Sequence, residues 1–200
     1  MKNFKYTLVA GLAAIASFSS CEDYLNVQPK SQVLADEFFV DDQAYNDFLT
    51  GVYEKMTSSS LYGRELTYGL LSVLEQDYDI PTNHVYYEAS QYHYLTDAST
   101  RSAIDAIWSQ QYNCIAQLNL MLQYIDQTPA SVFDGENYSL YKGEALGLRA
   151  FLHLDLLRLF SPACTSEAGA AAIPYVTTYG TELTPQKTVS ETLQLIKADL

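Results

Sequence analysis

The strongest periodicity in the chain lies between Ser139 and Phe160, SLYKGEALGLRAFLHLDLLRLF. At about 100° per residue its apolar positions fall on two sides of a helix of about six turns. Ala145, Leu148, Leu152, Leu156 and Leu159 make one side; Leu146, Ala150, Leu154 and Leu157 make the other. Two narrow polar seams, Lys142/Arg149/His153 and Glu144/Asp155/Arg158, run between them. A surface helix buries one stripe, so a helix with two must be sandwiched between neighbours, as in solenoids and layered helical domains. Gly143 and Gly147 weaken it locally and would permit close approach by another helix. Ser161-Pro162 ends it.

The same pattern predicts helices on either side. Asp36–Met56 reads as mostly helical, with Asp41 or Asp42 capping a helix that runs to about Thr57. Tyr45, Phe48, Leu49, Val52 and Tyr53 recur on one face of it. Ser58-Ser59-Ser60 reads as a loop, and Tyr62–Glu75 as a further helix with Leu66, Leu70 and Leu74 in step and Gly69 a soft spot. Glu75–Thr100 has no sustained period and reads as a long irregular loop, a length that often carries function. Ser102–Asp126 is the second long helix, with Ile104, Ile107, Trp108, Ile115, Leu118, Leu122 and Ile125 in one stripe and Asn119 at its edge. After the loop Thr128–Tyr138 the two long helices should pack antiparallel. Ala163–Gln186 is irregular; Thr188 with Glu191 then makes a capping box for a last helix through Leu193, Ile196 and Leu200. That helix has an apolar stripe and no cap before the chain ends, so the chain reads as truncated.

Composition narrows the function. Apolar residues make up 48% of the chain, ample for a core, and the net charge of −13 argues against a nucleic-acid backbone as partner. Lys2 and Lys5 precede an uncharged apolar run, Tyr6–Phe18, and then Ser19-Ser20-Cys21. This is a secretory signal, too short to span a membrane. The small residues leading into Cys21 resemble a bacterial lipobox, in which case Cys21 becomes the lipidated N-terminus; ordinary cleavage nearby with Cys21 a spare thiol is the alternative. Cys114 and Cys164 can pair only if the loop folds back, because the hairpin register puts Cys164 about 18 Å further along.

Taken in order, these stretches resemble the SusD/RagB family. Its signature helix is matched by Ala145, Leu148-Arg149-Ala150, Asp155-Leu156 and Arg158-Leu159-Phe160. Further similarity lies in Asp23–Pro29, in Gly51-Val52-Tyr53, in Trp108, Tyr112, Ile115 and Asn119, and in Ile173-Pro174-Tyr175-Val176. The resemblance implies an all-α fold of irregular tetratricopeptide-like helical repeats with long loops; a regular 34-residue period is absent. It implies residues 1–20 as a lipoprotein signal peptide, 21–35 as an extended tether and 36–200 as the N-terminal part of the family's helical domain. It further implies a lipid (palmitate) anchor at Cys21 in the cell outer membrane, surface exposure helped by Glu22-Asp23, an oligosaccharide or other nutrient as ligand, and a SusC-like TonB-dependent transporter as partner. No enzymatic activity and no cofactor are implied.

The residues point the same way. Fingerprints for P-loops, dinucleotides, zinc proteases and nucleophile elbows are missing from the sequence. Zinc spacing and an EF-hand pattern are missing too, so no metal site is expected. The stretch Tyr86–Tyr94, YYEASQYHY, offers rings for the C–H faces of sugars and polar groups for their hydroxyls, and Tyr86, Tyr87 and Tyr92 are its candidate ligand-binding residues; the alternative is that these rings fill core or rim positions. A glycoside hydrolase using Glu75 or Asp77 is a second reading, since such enzymes need paired carboxylates. A ligand-free structural subunit of the transporter complex is a third.

Overall fold

The computed structural model describes residues 35–162 and 169–200. The expected signal peptide, Cys21, nearly all of the tether, and Cys164 with its pairing to Cys114 lie outside the described residues. Residues up to Phe38 form a unit of their own, of which the one-turn helix α1 (Ala35–Phe38) is described; Phe39–Leu200 form the second. In the second unit the elements are α2 (Asp42–Met56), α3 (Leu70–Leu74), α4 (Tyr87–Ser90), α5 (Ala98–Ile125), a 3-10 turn (Ala130–Val132), α6 (Asn137–Phe160), β1 (Ala171–Pro174), β2 (Gln186–Thr188) and α7 (Val189–Asp199). Among the described residues no helix is long and apolar enough to cross a membrane.

The architecture is the expected all-α one. Helix α6 lies between α5 and α7, and α2 packs against both α5 and α6, so each apolar side of α6 has a helical neighbour. Leu152, Leu156 and Leu157 are fully buried there, as are Ile115, Leu118 and Met121 of α5. The two short strands pair antiparallel, with Ala171 opposite Thr188. The second strand runs straight into α7, whose capping box forms as the sequence predicts: Thr188 takes the N–H of Glu191, and Glu191 takes that of Thr188. Asp41 caps α2 through the N–H of Ala44. Below it an aromatic cluster of Phe39, Tyr45, Tyr124 and Phe133 closes the end of the bundle, with centroids about 5 Å apart.

Two expectations are corrected, and a third feature, the polar seam, is defined. Its residues Arg149 and His153 are both buried. They are tolerated because every charge and nitrogen is matched. Arg149 makes two hydrogen bonds to Asp199 at 2.7 and 2.6 Å and a third to Asn119 at 2.9 Å. His153 accepts the N–H of Val176 at Nε2, which leaves Nδ1 to donate to the carbonyl of Arg149. Gly143 and Gly147 make no close helix contact, since a Cβ on either would meet nothing within 4 Å. Finally, Tyr62–Glu75 is helical only over Leu70–Leu74; residues 58–69 form successive turns. Gly63, Leu66 and Gly69 each bond the carbonyl five residues back. A Cβ on Gly63 would lie 2.1 Å from the carbonyl oxygen of Thr57, so glycine permits the tight fold-back where leucine periodicity alone predicts a helix.

Two outcomes follow for stability. Leu152→Ala should destabilise the protein by about 3 kcal/mol, whereas Leu140→Ala, on the exposed side of the same helix, should change it by about 0.5 kcal/mol or less; urea unfolding midpoints report both. Burial above all holds the His153 imidazole down to about 4. The folded state thus stays neutral where the unfolded chain takes up a proton. The contribution of His153 is complete above about pH 6.5 and is lost as pH falls toward 4, worth about 3 kcal/mol across that window. The stability gap between wild type and His153→Gln, measured at pH 7.5 and 4.5, should narrow accordingly; a constant gap would refute the assignment.

Candidate ligand-binding cleft

The turns after α2, the Val85-Tyr86 segment and the first two turns of α5 together enclose a cleft of about 470 Å³. Its anchor is Glu65, only 3% exposed. The sequence around it forces the carboxylate inward. Gly69 passes so close that a Cβ there would sit 2.9 Å from Oε2 of Glu65, and the same oxygen accepts the N–H of Leu70, the first residue of α3. Arg64 donates from two nitrogens to Oε1 at 2.9 and 2.7 Å. The Tyr86 hydroxyl lies 2.8 and 2.9 Å from the two oxygens. Burial, then the hydrogen bond and the charge of Glu65, push the Tyr86 phenol up to about 12. It is therefore a protonated donor at neutral pH, and its ring is fixed at the wall of the cleft.

The opposite wall is the start of α5. Asp97 caps it by taking the Thr100 N–H at 2.7 Å and the Ser99 hydroxyl at 2.5 Å. Those bonds, the Ser99 hydroxyl foremost, hold its carboxyl below the usual carboxylate range. Ser99, Thr100 and Ser102 line this side, and Ser59 and Ser60 the other. Thr100 is 3% exposed, and its buried hydroxyl, together with its N–H, helps to hold the charge of Asp97. Apolar area comes from Leu70, Val85, Ala103 and Ala106. The arrangement presents hydroxyls, a half-exposed guanidinium and an aromatic edge around an apolar floor. Among the described residues no group of three or more His, Cys, Asp or Glu could hold a metal ion.

Of the three candidate tyrosines, the structure brings only Tyr86 to this cleft. Tyr87 is half-buried in the first turn of α4 and does not line it. Tyr92 takes a left-handed backbone (φ 60°), is half exposed, and donates to the carbonyl of Leu74. Its edge-on neighbour Tyr94 instead lines an apolar groove with Leu74, Leu95 and Phe160. Glu75 and Asp77 are exposed and outside the cleft lining. Sequence reasoning missed Arg64, Glu65 and Thr100. The serine run Ser58–Ser60 and the Ser/Thr cluster opening α5 were the available signals; nothing in the sequence marked Glu65 as buried.

Comparisons with known proteins bear on the fold and the family. A family model described as SusD-like, "Starch-binding associating with outer membrane", matches residues 23–200. No curated protein is significantly similar. Among solved structures, a SusD superfamily protein from Bacteroides fragilis is 22% identical with a TM-score of 0.65, over 81% of this chain and 38% of that one. A SusD superfamily protein from Bacteroides thetaiotaomicron is 19% identical with a TM-score of 0.63, over 80% and 36%. A SusD-like carbohydrate binding protein from Bacteroides vulgatus is 21% identical with a TM-score of 0.60, over 80% and 34%. The chain thus spans just over a third of the length of these structures, and the likeness to them is one of fold. With the family model covering nearly the whole chain, the protein belongs to the SusD-like family.

Proposed function

We propose that this chain is the N-terminal helical part of a surface lipoprotein that binds an extracellular neutral glycan and passes it to a TonB-dependent transporter in the outer membrane. Cys21 is the lipid anchor, residues 21–35 are the tether, and the cleft beside Tyr86 is a glycan site. The family description, starch-binding and associating with the outer membrane, supports the ligand class and the location. So does the name of the Bacteroides vulgatus relative, a carbohydrate binding protein. The transporter partnership and the anchor rest on the lipobox at Cys21 and on the family likeness.

One observation carries the reading for the cleft: a Tyr86 ring held in place by Glu65 among the hydroxyls of Ser59, Ser60, Ser99 and Ser102. Saccharide hydroxyls pair with such groups, and sugar C–H faces suit the apolar floor. Charge favours a neutral ligand, because Arg64 is already matched by Glu65 and Asp97 adds a further negative charge. Binding without turnover fits the same geometry. Glycoside hydrolysis needs two carboxyls across the scissile bond, and among the described residues lining the cleft Glu65 alone has one, committed to Arg64, Tyr86 and Leu70.

Retention on gels containing soluble starch or other neutral polysaccharides, with unfolding midpoints measured in parallel, tests this. Tyr86→Ala should weaken retention by about tenfold. Ser102→Ala, which removes an exposed hydroxyl from the lining, should weaken it severalfold and change stability by about 0.5 kcal/mol or less. Wild-type retention by Tyr86→Ala, or release of reducing sugar by the wild type, would contradict the proposal.

A further inference from the structure

A second groove, of about 410 Å³, lies at the other end of α5. Leu122 and Gln123 of α5, Lys142 and Leu146 of α6, and Thr177 and Tyr179 beyond β1 are among the residues that line it. The backbone leading to Tyr179 is tied from behind at Val176. The amide of Asn119 donates to the carbonyl of Val176 at 2.9 Å, and the N–H of Val176 donates to His153 at 3.1 Å. Three residues on, Tyr179 is half exposed and borders the groove. Its charges are matched in pairs: Lys142 with Asp126, and Arg149 with Asp199. The groove therefore combines an accessible aromatic ring, half-buried leucines, an exposed primary amide and hydroxyls, without net charge.

We propose that this groove is a second site for a neutral saccharide. The ring of Tyr179 and the leucines take a sugar C–H face; Gln123, Thr177 and the Lys142–Asp126 pair take its hydroxyls. Tying the backbone at Val176 to Asn119 and His153 in advance lowers the ordering cost of binding. The two sites are separate. From Ser102 to Leu122 is about 30 Å along α5 and about 200° around it, so a short oligosaccharide cannot bridge them. A long or densely presented polysaccharide engages both, and joint engagement raises apparent affinity well above that of either site. The inference shares with the Tyr86 cleft only the class of ligand.

The test uses the full chain in four forms: wild type, Tyr86→Ala, Tyr179→Ala and the double variant. Each is run on gels containing soluble starch, xylan or galactan, with unfolding midpoints as a control and Gln123→Ala as an independent probe of the second groove. The expected result is a loss of retention of about tenfold or more in each single variant, a smaller loss in Gln123→Ala, and no retention of the double variant. Wild-type retention by both Tyr179→Ala and Gln123→Ala would overturn the second site while leaving the Tyr86 cleft standing. Loss in Tyr179→Ala alone would sustain the second site and remove the first. Passage of the wild type unretarded through all three gels would overturn both.

Discussion

The guanidinium of Arg149 is the point at which the separate layers of the fold meet. From the middle of α6 it grips Asp199 at the end of α7 through two hydrogen bonds and Asn119 of α5 through a third. Tyr175, just after β1, donates to the same Asp199 and stacks on His153 with centroids 3.9 Å apart. His153 and Asn119 in turn hold the backbone of Val176. A buried ion pair is poor evidence for net stability, because desolvation offsets its attraction. Removing one partner is different: it strands a charge and costs about 3–5 kcal/mol. The network is better understood as fixing geometry. Apolar contact between α5, α6 and α7 would tolerate sliding; three directional bonds from one planar group do not.

That fixation is what makes loop chemistry usable. A glycan site built on irregular segments needs those segments held still, or the ordering cost consumes the weak attraction of each sugar contact. Under the proposed function, the protein meets this need at two places. At the Tyr86 cleft, Glu65 is buried beneath the turns and gathers Arg64, Tyr86 and the first N–H of α3 around one carboxylate. At the far end of α5, the backbone after β1 is tied to Asn119 and His153 of the two long helices. In both places a buried polar side chain, not a run of apolar contacts, positions the irregular backbone.

How much of this was legible depends on whether the signal was local. The helices α2, α5, α6 and α7 follow from periodicity, and the caps at Asp41 and Thr188 from their side chains. The sandwiching of α6 followed from its two apolar sides. The failure at Tyr62–Glu75 is instructive: leucines at 66, 70 and 74 mimic a helix, while Gly63 and Gly69 serve a fold-back whose contacts, with the end of α2 and with the Arg64-Glu65 pair, appear only in three dimensions. Arg149 and His153 read only as part of a polar seam, because the partners that bury them lie 30 to 50 residues distant or on backbone atoms. The candidate cleft was legible only in part. Tyrosine-rich irregular sequence drew attention to the Tyr86–Tyr94 segment; the fold brings Tyr86 to the polar cleft and leaves Tyr87 and Tyr92 outside it. Glu65, which organises the site, had no marking in the sequence at all, since nothing local distinguishes a buried glutamate from a solvated one.

The central claim is that a rigid helical scaffold presents a hydroxyl-lined cleft to a neutral glycan. Backbone amide chemical-shift mapping of the full chain, titrated with maltoheptaose, tests it most directly. The account predicts saturable shifts at Ser59–Glu65, at Val85 and Tyr86 and at Ser99–Ser102, with any shifts at Leu122, Gln123 and Thr177–Tyr179 reporting the second groove separately. Saturable shifts that bypass the residues of the cleft, or a repacking of the Arg149 network on binding, would contradict it.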